Sequence, residues 1–269
     1  MVKTRIFLFL GAAVLVTVLF SLPKSVVDNE AEAIEDGEVP ATVNNDPHST
    51  EADSVQVRTI LRLNQQFTIS EDSEKSLIFA DSLATLYISL NKYDSAARFF
   101  DFIADRVPNA KNWIKAGDTW YEAFGFSMDA AKRQSFGEKA AVYFNKVLEV
   151  QPDNLDVKNK LAMTYVSSSN PMQGVMMLRE ILQKDPQNEQ AMFNLGVLSM
   201  QSGQYDRAVE RFTGLIDLYP DNTQAHFFLG ISYLETGAKD KAKEQFLLVK
   251  SLDDDPSVQA TVDSYLEDM

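Results

Sequence analysis

The chain has 269 residues, 45% of them hydrophobic, which is enough apolar material to bury the core of one or two domains. It contains no cysteine, so disulfide bonds, thiol catalysis and thiolate metal sites are excluded. The net charge of −14 lies at the two ends: residues 26–53 hold nine carboxylates and no base, and the residues after Lys250 hold six more carboxylates. The residues between balance 22 bases against 24 acids, so the sequence predicts no basic surface for nucleic acid.

An apolar segment stands near the amino terminus. Residues 6–22 carry no charge, follow Lys3 and Arg5, and end before Pro23. A helix of that length spans about 25 Å, the short end of what crosses a bilayer. We predict that residues 1–24 are a transmembrane signal anchor, since no small-x-small cleavage site ends the run; a cleaved signal peptide is the alternative. The positive residues predict a cytoplasmic amino terminus, a single pass through a bacterial inner membrane and a periplasmic body, which cleavage would instead release into the periplasm.

Residues 25–53 are acidic, contain two prolines and have no aromatic residue. Such a segment cannot bury enough apolar surface to offset the entropy of ordering it, so we predict a disordered acidic linker. A docking tail for a basic partner is the alternative. Beyond the linker, Val57, Leu61 and Phe67 recur at helical spacing, and we predict an amino-terminal capping helix over 54–76.

A repeating pattern fills the next 180 or so residues. Its most visible marks are four prolines, Pro108, Pro152, Pro186 and Pro220, separated by 44, 34 and 34 residues, and a period of 34 is that of a helix–turn–helix repeat. Each unit has a small residue and a large ring in its first helix, then a small residue and a phenylalanine in its second, then the proline. Five such positions in each of five units give 25 positions, and 22 of them hold the expected type of residue. The units are 77–110, 111–154, 155–188, 189–222 and 223–256.

Each slot has a physical purpose. Small residues let two antiparallel helices approach closely, and rings fill the gap to the next unit, because no single pair can bury its apolar face alone. Ser199 stands where unit four should carry a ring. The turn between the two helices of a unit carries Asn91, Gly203 or Gly237 at one equivalent position. A residue with a positive φ angle is expected there, because this conformation ends the first helix. The small slots are Ala84, Gly117, Ala162, Gly196 and Gly230 in the first helices and Ala96, Ala140, Gly174, Ala208 and Ala242 in the second.

This pattern resembles the tetratricopeptide repeat (TPR) family over about 180 residues, and units four and five match it best. The resemblance implies an all-α fold: a TPR helix–turn–helix solenoid of about five units. We expect it to be preceded by the transmembrane helix and the flexible acidic linker, and to be closed by a carboxyl-terminal capping helix and acidic tail over 257–269.

Unit two is ten residues too long, and its excess lies between Phe124 and Glu138. Ser127 is predicted to cap the second helix of this unit. Phe126 and Phe136 lie in the insertion, where they would form an exposed aromatic patch that binds a partner. The alternative is that these rings pack the insertion onto its own unit.

The sequence contains no readable phosphate loop, metal-ligand cluster or nucleophile–base pair, so we predict no catalytic residue, no cofactor and no metal, and the chain is not expected to be an enzyme. His226 occupies a bulky position of a first helix and is predicted to be a packed core ring. In the TPR family the first helices line a concave groove. The resemblance places in that groove Lys111, Ile114, Asp118, Tyr121, Asn159, Met163, Gln190, Phe193, Val197, Met200, Gln224, Phe227, Ile231 and Leu234.

These features predict a non-enzymatic protein–protein interaction scaffold or adaptor, tethered to the membrane on its extracytoplasmic side, that binds a peptide or helix in its concave groove. The alternative function is a periplasmic chaperone or assembly factor that holds unfolded secreted or cytochrome-type polypeptides. The apolar groove residues near the carboxyl terminus have a second interpretation, which is contact with the capping helix. We expect a protein or peptide partner, contact with the membrane through the amino-terminal helix and no nucleic acid; self-association is a further hypothesis.

Overall fold

The computed structural model describes residues 51–70 and 72–269, which form twelve α-helices and no strand. The prediction of an all-α helical solenoid is confirmed for this part of the chain. The predicted anchor and most of the predicted linker lie outside it, and no helix within it is both long and apolar enough to cross a bilayer. The helices are α1 (Glu51–Ile69), α2 (Ser73–Ser89), α3 (Tyr93–Arg106), α4 (Ala110–Phe126), α5 (Ala130–Val150), α6 (Leu155–Val166), α7 (Pro171–Lys184), α8 (Glu189–Gln201), α9 (Tyr205–Leu218), α10 (Thr223–Glu235), α11 (Lys239–Leu252) and α12 (Pro256–Glu267).

The predicted capping segment over 54–76 is divided between two helices. α2 begins directly after Asp72, whose carboxylate accepts hydrogen bonds from the backbone N–H groups of Glu74 and Lys75. These backbone hydrogen bonds hold the pKa of Asp72 below its usual value. α1 packs its Phe67 ring against two phenylalanine rings of α3, at centroid distances of 5.5 and 4.8 Å, and so covers the open side of unit one.

Asparagine begins the first helix in units two to five. The side-chain oxygens of Asn109, Asn154, Asn188 and Asn222 each accept a hydrogen bond from the backbone N–H three residues further on. Each asparagine follows the unit-ending proline by one or two residues. Proline is incompatible with continuing the second helix and asparagine starts the next one, so the boundary between units is encoded locally.

The second helix of unit two begins after Asp129, whose carboxylate accepts a hydrogen bond from the backbone N–H of Lys132 at 2.8 Å. The prediction that Ser127 caps this helix is therefore wrong. Ser127 follows the end of α4, and its hydroxyl donates to the carbonyl oxygen of Asp129 at 3.2 Å. An ionised carboxylate interacts more favourably with the positive end of a helix than a hydroxyl does, which explains the choice of cap.

The turns between helices behave as the sequence predicts. Asn91, Gly203 and Gly237 have φ angles of 56°, 71° and 83°, so the predicted left-handed conformation at this position is confirmed in units one, four and five. Asparagine and glycine adopt this conformation at lower cost than other residues.

Close approach of the paired helices explains the small residues. A Cβ atom added to Gly117, Gly196 or Gly230 would lie 2.8, 2.6 or 2.7 Å from the phenylalanine ring of the second helix in the same unit. In unit three the glycine is instead Gly174, on the second helix, where a Cβ would lie 2.2 Å from the carbonyl oxygen of Ala162. Unit three therefore packs backbone directly against backbone.

Unit four has Ser199 where the other units carry a ring in the first helix, and an arginine of its second helix contacts this position instead. The Arg211 guanidinium reaches from α9 to α8, where it donates to the hydroxyl of Ser199 at 2.7 Å and to the carbonyl oxygen of Leu195. Burial lowers the pKa of Arg211, and the neighbouring arginines of α7 and α9 lower it further. A long cationic side chain thus takes the place of the ring that occupies this slot in the other units.

Neighbouring units meet mainly where the second helix of one unit packs against the first helix of the next, and the first helices of units two to five also touch one another on one side of the stack. α4, α6, α8 and α10 pack in sequence against one another, and in the described residues no two second helices pack as closely. Ion pairs join Lys115 to Asp81 at 3.0 Å and Lys160 to Asp118 at 2.7 Å, each between first helices of adjacent units. All four side chains are more than a third exposed, so each pair contributes at most about 1 kcal/mol. The first helices consequently line the inner face of the stack.

Candidate binding surface

The predicted groove residues lie on the inner-face helices of units two to five, and most are half-buried. The exposed ones are Lys111, Gln190 and Gln224, whereas Asn159 is buried. Tyr121 and Met163 line a pocket on the inner face, Asp118 is held in its ion pair, and the apolar cluster that includes Val262 of α12 takes in Phe227, Ile231 and Leu234. The other members pack against core clusters of the stack: Ile114, Phe193, Val197 and Met200.

A polar pocket of 360 Å³ opens on the inner face between α4, α6 and α8. Its wall is a chain of amide hydrogen bonds: Gln190 donates to Asn194 at 3.1 Å, Asn194 donates to Asn159 at 3.3 Å, and Asn159 donates to the helix cap Asn188 at 3.0 Å. Lys160 also lines the pocket and is held by its ion pair with α4. The amides fix one another, so the pocket presents polar groups in set positions.

An apolar pocket of 430 Å³ adjoins the polar one, and Tyr121 lines both. Phe124, Met163 and Val166 give it an apolar wall, and the charged side chains of Glu122 and Arg133 also line it. Burial raises the pKa of the Tyr121 hydroxyl, which therefore stays protonated and able to donate a hydrogen bond at neutral pH. The two pockets together offer apolar and polar surface side by side.

Sequence reasoning missed several residues of these pockets. Lys160 and Asn194 each lie one residue beyond a predicted groove position. Asn194 interrupts an otherwise apolar helix, which was the available signal, whereas Lys160 stands in a polar stretch that offered none. Arg133 comes from the insertion of unit two, and the repeat alignment contains no position for it.

The groove residues of unit five contact the chain itself. Phe227, Ile231 and Leu234 pack against α12, and the Phe227 ring meets Tyr265 edge-on at 5.6 Å. Contact with the capping helix, the second interpretation of these residues, is therefore what the structure shows. In unit four, Phe193 is wedged between rings of α9 and α10 at 5.9 and 5.6 Å, and it is half-buried.

The insertion does not bring its two predicted patch residues into one exposed surface. Phe126 is 63% exposed and leans on Tyr93 at a centroid distance of 4.9 Å. Phe136 is half-buried against Trp120 at 5.3 Å. For Phe136 the structure shows the other interpretation, packing onto its own unit, because the wide indole of Trp120 in the core of unit two provides an apolar surface for its ring.

The titratable groups in the core of the described helices have structural roles. His226 is buried, with Nδ1 2.7 Å from the Gln245 side-chain oxygen and Nε2 2.8 Å from the Pro220 carbonyl oxygen. Burial raises the pKa of Asp101, although its carboxylate accepts a hydrogen bond from the Trp120 indole at 2.7 Å. Among residues 51–70 and 72–269, no group of three acidic or imidazole side chains is arranged to hold a metal ion.

Comparison with known proteins agrees with this geometry. A model of the tetratricopeptide repeat family matches residues 199–262. No curated protein matches the chain.

Solved structures show the same type of fold. A tetratricopeptide repeat protein from Parabacteroides merdae ATCC 43184 superimposes with a TM-score of 0.58 at 15% identity, over 81% of this chain and 82% of the other. A crystal structure of MamA gives a TM-score of 0.48 at 16% identity, over 63% of this chain and 94% of the other. The likeness to the P. merdae protein is one of fold: the described helices share the architecture of that repeat protein.

Proposed function

We propose that this protein is a non-enzymatic scaffold that binds another protein through the inner face of units two to four. One observation carries the proposal: two adjoining pockets, one of fixed amides and one of apolar side chains, share Tyr121 on the face that the first helices line. Surfaces that combine apolar anchors with a few fixed polar groups are suited to a peptide or an amphipathic helix.

The charges of the groove nearly cancel, which favours an uncharged or apolar segment over an acidic chain end. Asp118 and Lys160 neutralise each other across the unit boundary, Glu122 and Arg133 line the apolar pocket together, and Asp156 leaves one negative charge in the polar pocket. The amides of the polar pocket are hydrogen-bonded to one another. An apolar side chain of the partner would enter beside Met163 and Val166, while its backbone would exchange hydrogen bonds with the exposed amide of Gln190.

The site of action that we propose is the extracytoplasmic side of a bacterial inner membrane. Two features of the sequence support this location. Residues 6–22 carry no charge and follow the basic residues Lys3 and Arg5, and an acidic segment separates them from α1. In this arrangement the anchor holds the scaffold close to membrane-associated partners and raises their effective concentration.

Site-specific photocrosslinking in intact cells tests the proposed groove. A photoreactive residue at Gln201 or Gln190, both exposed at the two pockets, should give a defined crosslinked product; at Gln183, which is exposed on the second helix α7, it should not. The product should disappear in a Met163→Glu variant and persist in Met176→Glu, a matched change at an exposed methionine of α7. Identical products from all three positions, or products that survive Met163→Glu, would refute the groove. Many heterogeneous products at the groove positions would indicate the chaperone alternative instead.

A further inference from the structure

The last helix of the chain occupies the place of a sixth first helix. α12 begins after its cap Asp255, which lies 33 residues after Asn222, the cap of α10, so the loop before α12 is one residue shorter than the loop before α10. The helix is firmly attached: Val262 is fully buried, and the Gln259 amide donates to the Lys250 and Asp253 carbonyl oxygens that end α11. The contact of Gln259 with Asp253 repeats, 33 residues later, the contact of His226 with the Pro220 carbonyl oxygen, so the junction is built like a boundary between units.

A pocket of 340 Å³ remains open at this junction. Phe227, Phe228, Val249 and Val258 give it an apolar lining. Its volume reaches the lower end of the range for ligand pockets, which begins at about 300 Å³. It lies between α10, α11 and α12, apart from the two pockets that share Tyr121.

The residues at this junction explain why it is hollow. Asp253 and Thr261 both line the pocket; Asp253 follows α11 as Tyr219 follows α9, and Thr261 of α12 corresponds to Phe228 of α10, 33 residues earlier. The Tyr219 hydroxyl donates to the carbonyl oxygen of Gln187, and the Phe228 ring stacks on Phe212 of α9 at 5.9 Å. Two rings that fill an interior boundary are thus replaced by two small polar residues at the end of the stack.

The entrance of the pocket is acidic. Asp253 lines it, and the exposed residues Asp254 and Asp255 follow directly. The basic residue nearest in sequence, Lys250, already forms an ion pair with Asp263 of α12. A ligand would therefore meet an apolar interior of ring-sized volume with uncompensated negative charge at its edge.

We propose that this pocket binds an aromatic side chain of a partner peptide in which a lysine or arginine adjoins the ring. The ring takes the volume that Tyr219 and Phe228 fill at the preceding boundary, and the cation lies against Asp253 and Asp254. The inference does not rest on the proposed groove of units two to four, so each can fail without the other.

Titration of the full-length protein with a blocked Gly-Phe-Lys-Gly peptide tests the proposal, with 4-fluorophenylalanine as the ¹⁹F NMR reporter. One buried ring and one exposed ion pair predict a Kd of about 0.1–1 mM. Replacing the phenylalanine by alanine should weaken binding at least about tenfold as judged by competition. Replacing the lysine by glutamate should do the same at low salt, and the difference should shrink at high salt because exposed charges are screened.

Variants at the two replaced positions complete the test. Thr261→Phe, which restores the ring of the interior register, should reduce affinity at least about tenfold, whereas Thr261→Ser leaves the pocket open and should keep it. Asp253→Asn should weaken binding and remove its salt dependence. Thermal unfolding checks that each variant is folded, and the comparison of the peptides tests the pocket even where Thr261→Phe does not fold. Absence of saturation at about 5 mM peptide, equal binding of the alanine peptide, or full affinity of folded Thr261→Phe would overturn the proposal, as would loss of binding in Met163→Glu.

Discussion

Replacing Gly174 with alanine separates the repeat pattern from the packing of this particular unit. Alanine occupies the equivalent position in the second helix of units one, two, four and five, so the pattern alone predicts that the change stabilises the protein. The structure predicts the opposite. An added Cβ would lie 2.2 Å from the carbonyl oxygen of Ala162 and 2.8 Å from the backbone nitrogen of Val166.

The magnitude follows from two opposing effects. Alanine in place of glycine inside a helix gains about 1 kcal/mol of free energy of unfolding through helix propensity. Inserting a methyl group into a packed interior costs about 1–3 kcal/mol, and the upper end applies here, since the nearest atoms are backbone and cannot rotate away. The net expectation is a loss of about 2 kcal/mol, or about 4–8 °C in Tm for a domain of this size.

Thermal unfolding followed by circular dichroism measures the effect. Gly125→Ala is the matched control: Gly125 is helical, but nothing lies within 4 Å of its added Cβ, so this variant should gain about 0.5–1 kcal/mol. Hydrogen exchange should place the loss of Gly174→Ala in α6 and α7. If Gly174→Ala is as stable as the wild type or more stable, the close backbone approach in unit three is wrong.

Three further predictions concern other parts of the stack. Arg211→Ala should destabilise unit four by about 1–3 kcal/mol, because it removes hydrogen bonds from a charged donor to two groups of α8, and a double-mutant cycle with Ser199→Ala should show coupling; additive effects would contradict the bridging role. Because burial raises the pKa of Asp101, the folded state binds that proton more tightly than the unfolded chain, so its contribution to stability falls as the pH rises from the usual to the raised pKa. Asp101→Asn, which keeps an acceptor for Trp120, should therefore gain stability relative to the wild type between about pH 3 and pH 7 in denaturant titrations, and a constant difference would refute this. Tyr265→Ala should cost about 2–3 kcal/mol and accelerate amide exchange in α10 to α12 while leaving α2 to α6 protected, since each unit contacts only its neighbours; uniform acceleration would count against it.

The features that sequence reasoning placed correctly depend on residues close together in the chain. The left-handed turns at Asn91, Gly203 and Gly237 follow from which residues tolerate a positive φ. The failure at Ser127 has a related origin, because Asp129 two residues later offered a competing cap, and choosing between two nearby caps requires knowing where the helix axis begins.

The same reasoning from sequence predicted only part of the candidate surface correctly. The repeat register places Tyr121 and Met163 on the inner face, and both line the apolar pocket. It also places Phe227 there, yet that ring lies against α12. Register alone gives the direction of a side chain from its helix but does not say which other segment covers it.

The sequence by itself determined the helix pairs, their boundaries and their 34-residue register, because proline, asparagine and the small residues act through their own backbone and their nearest neighbours. Only the tertiary structure decided that Arg211 fills the vacant ring slot of unit four, that Gly174 touches the backbone of α6, and that a pocket opens under α12. These features depend on distances between atoms that are 12 or more residues apart along the chain. Such distances are set by the packing of the helices onto one another, to which every unit contributes.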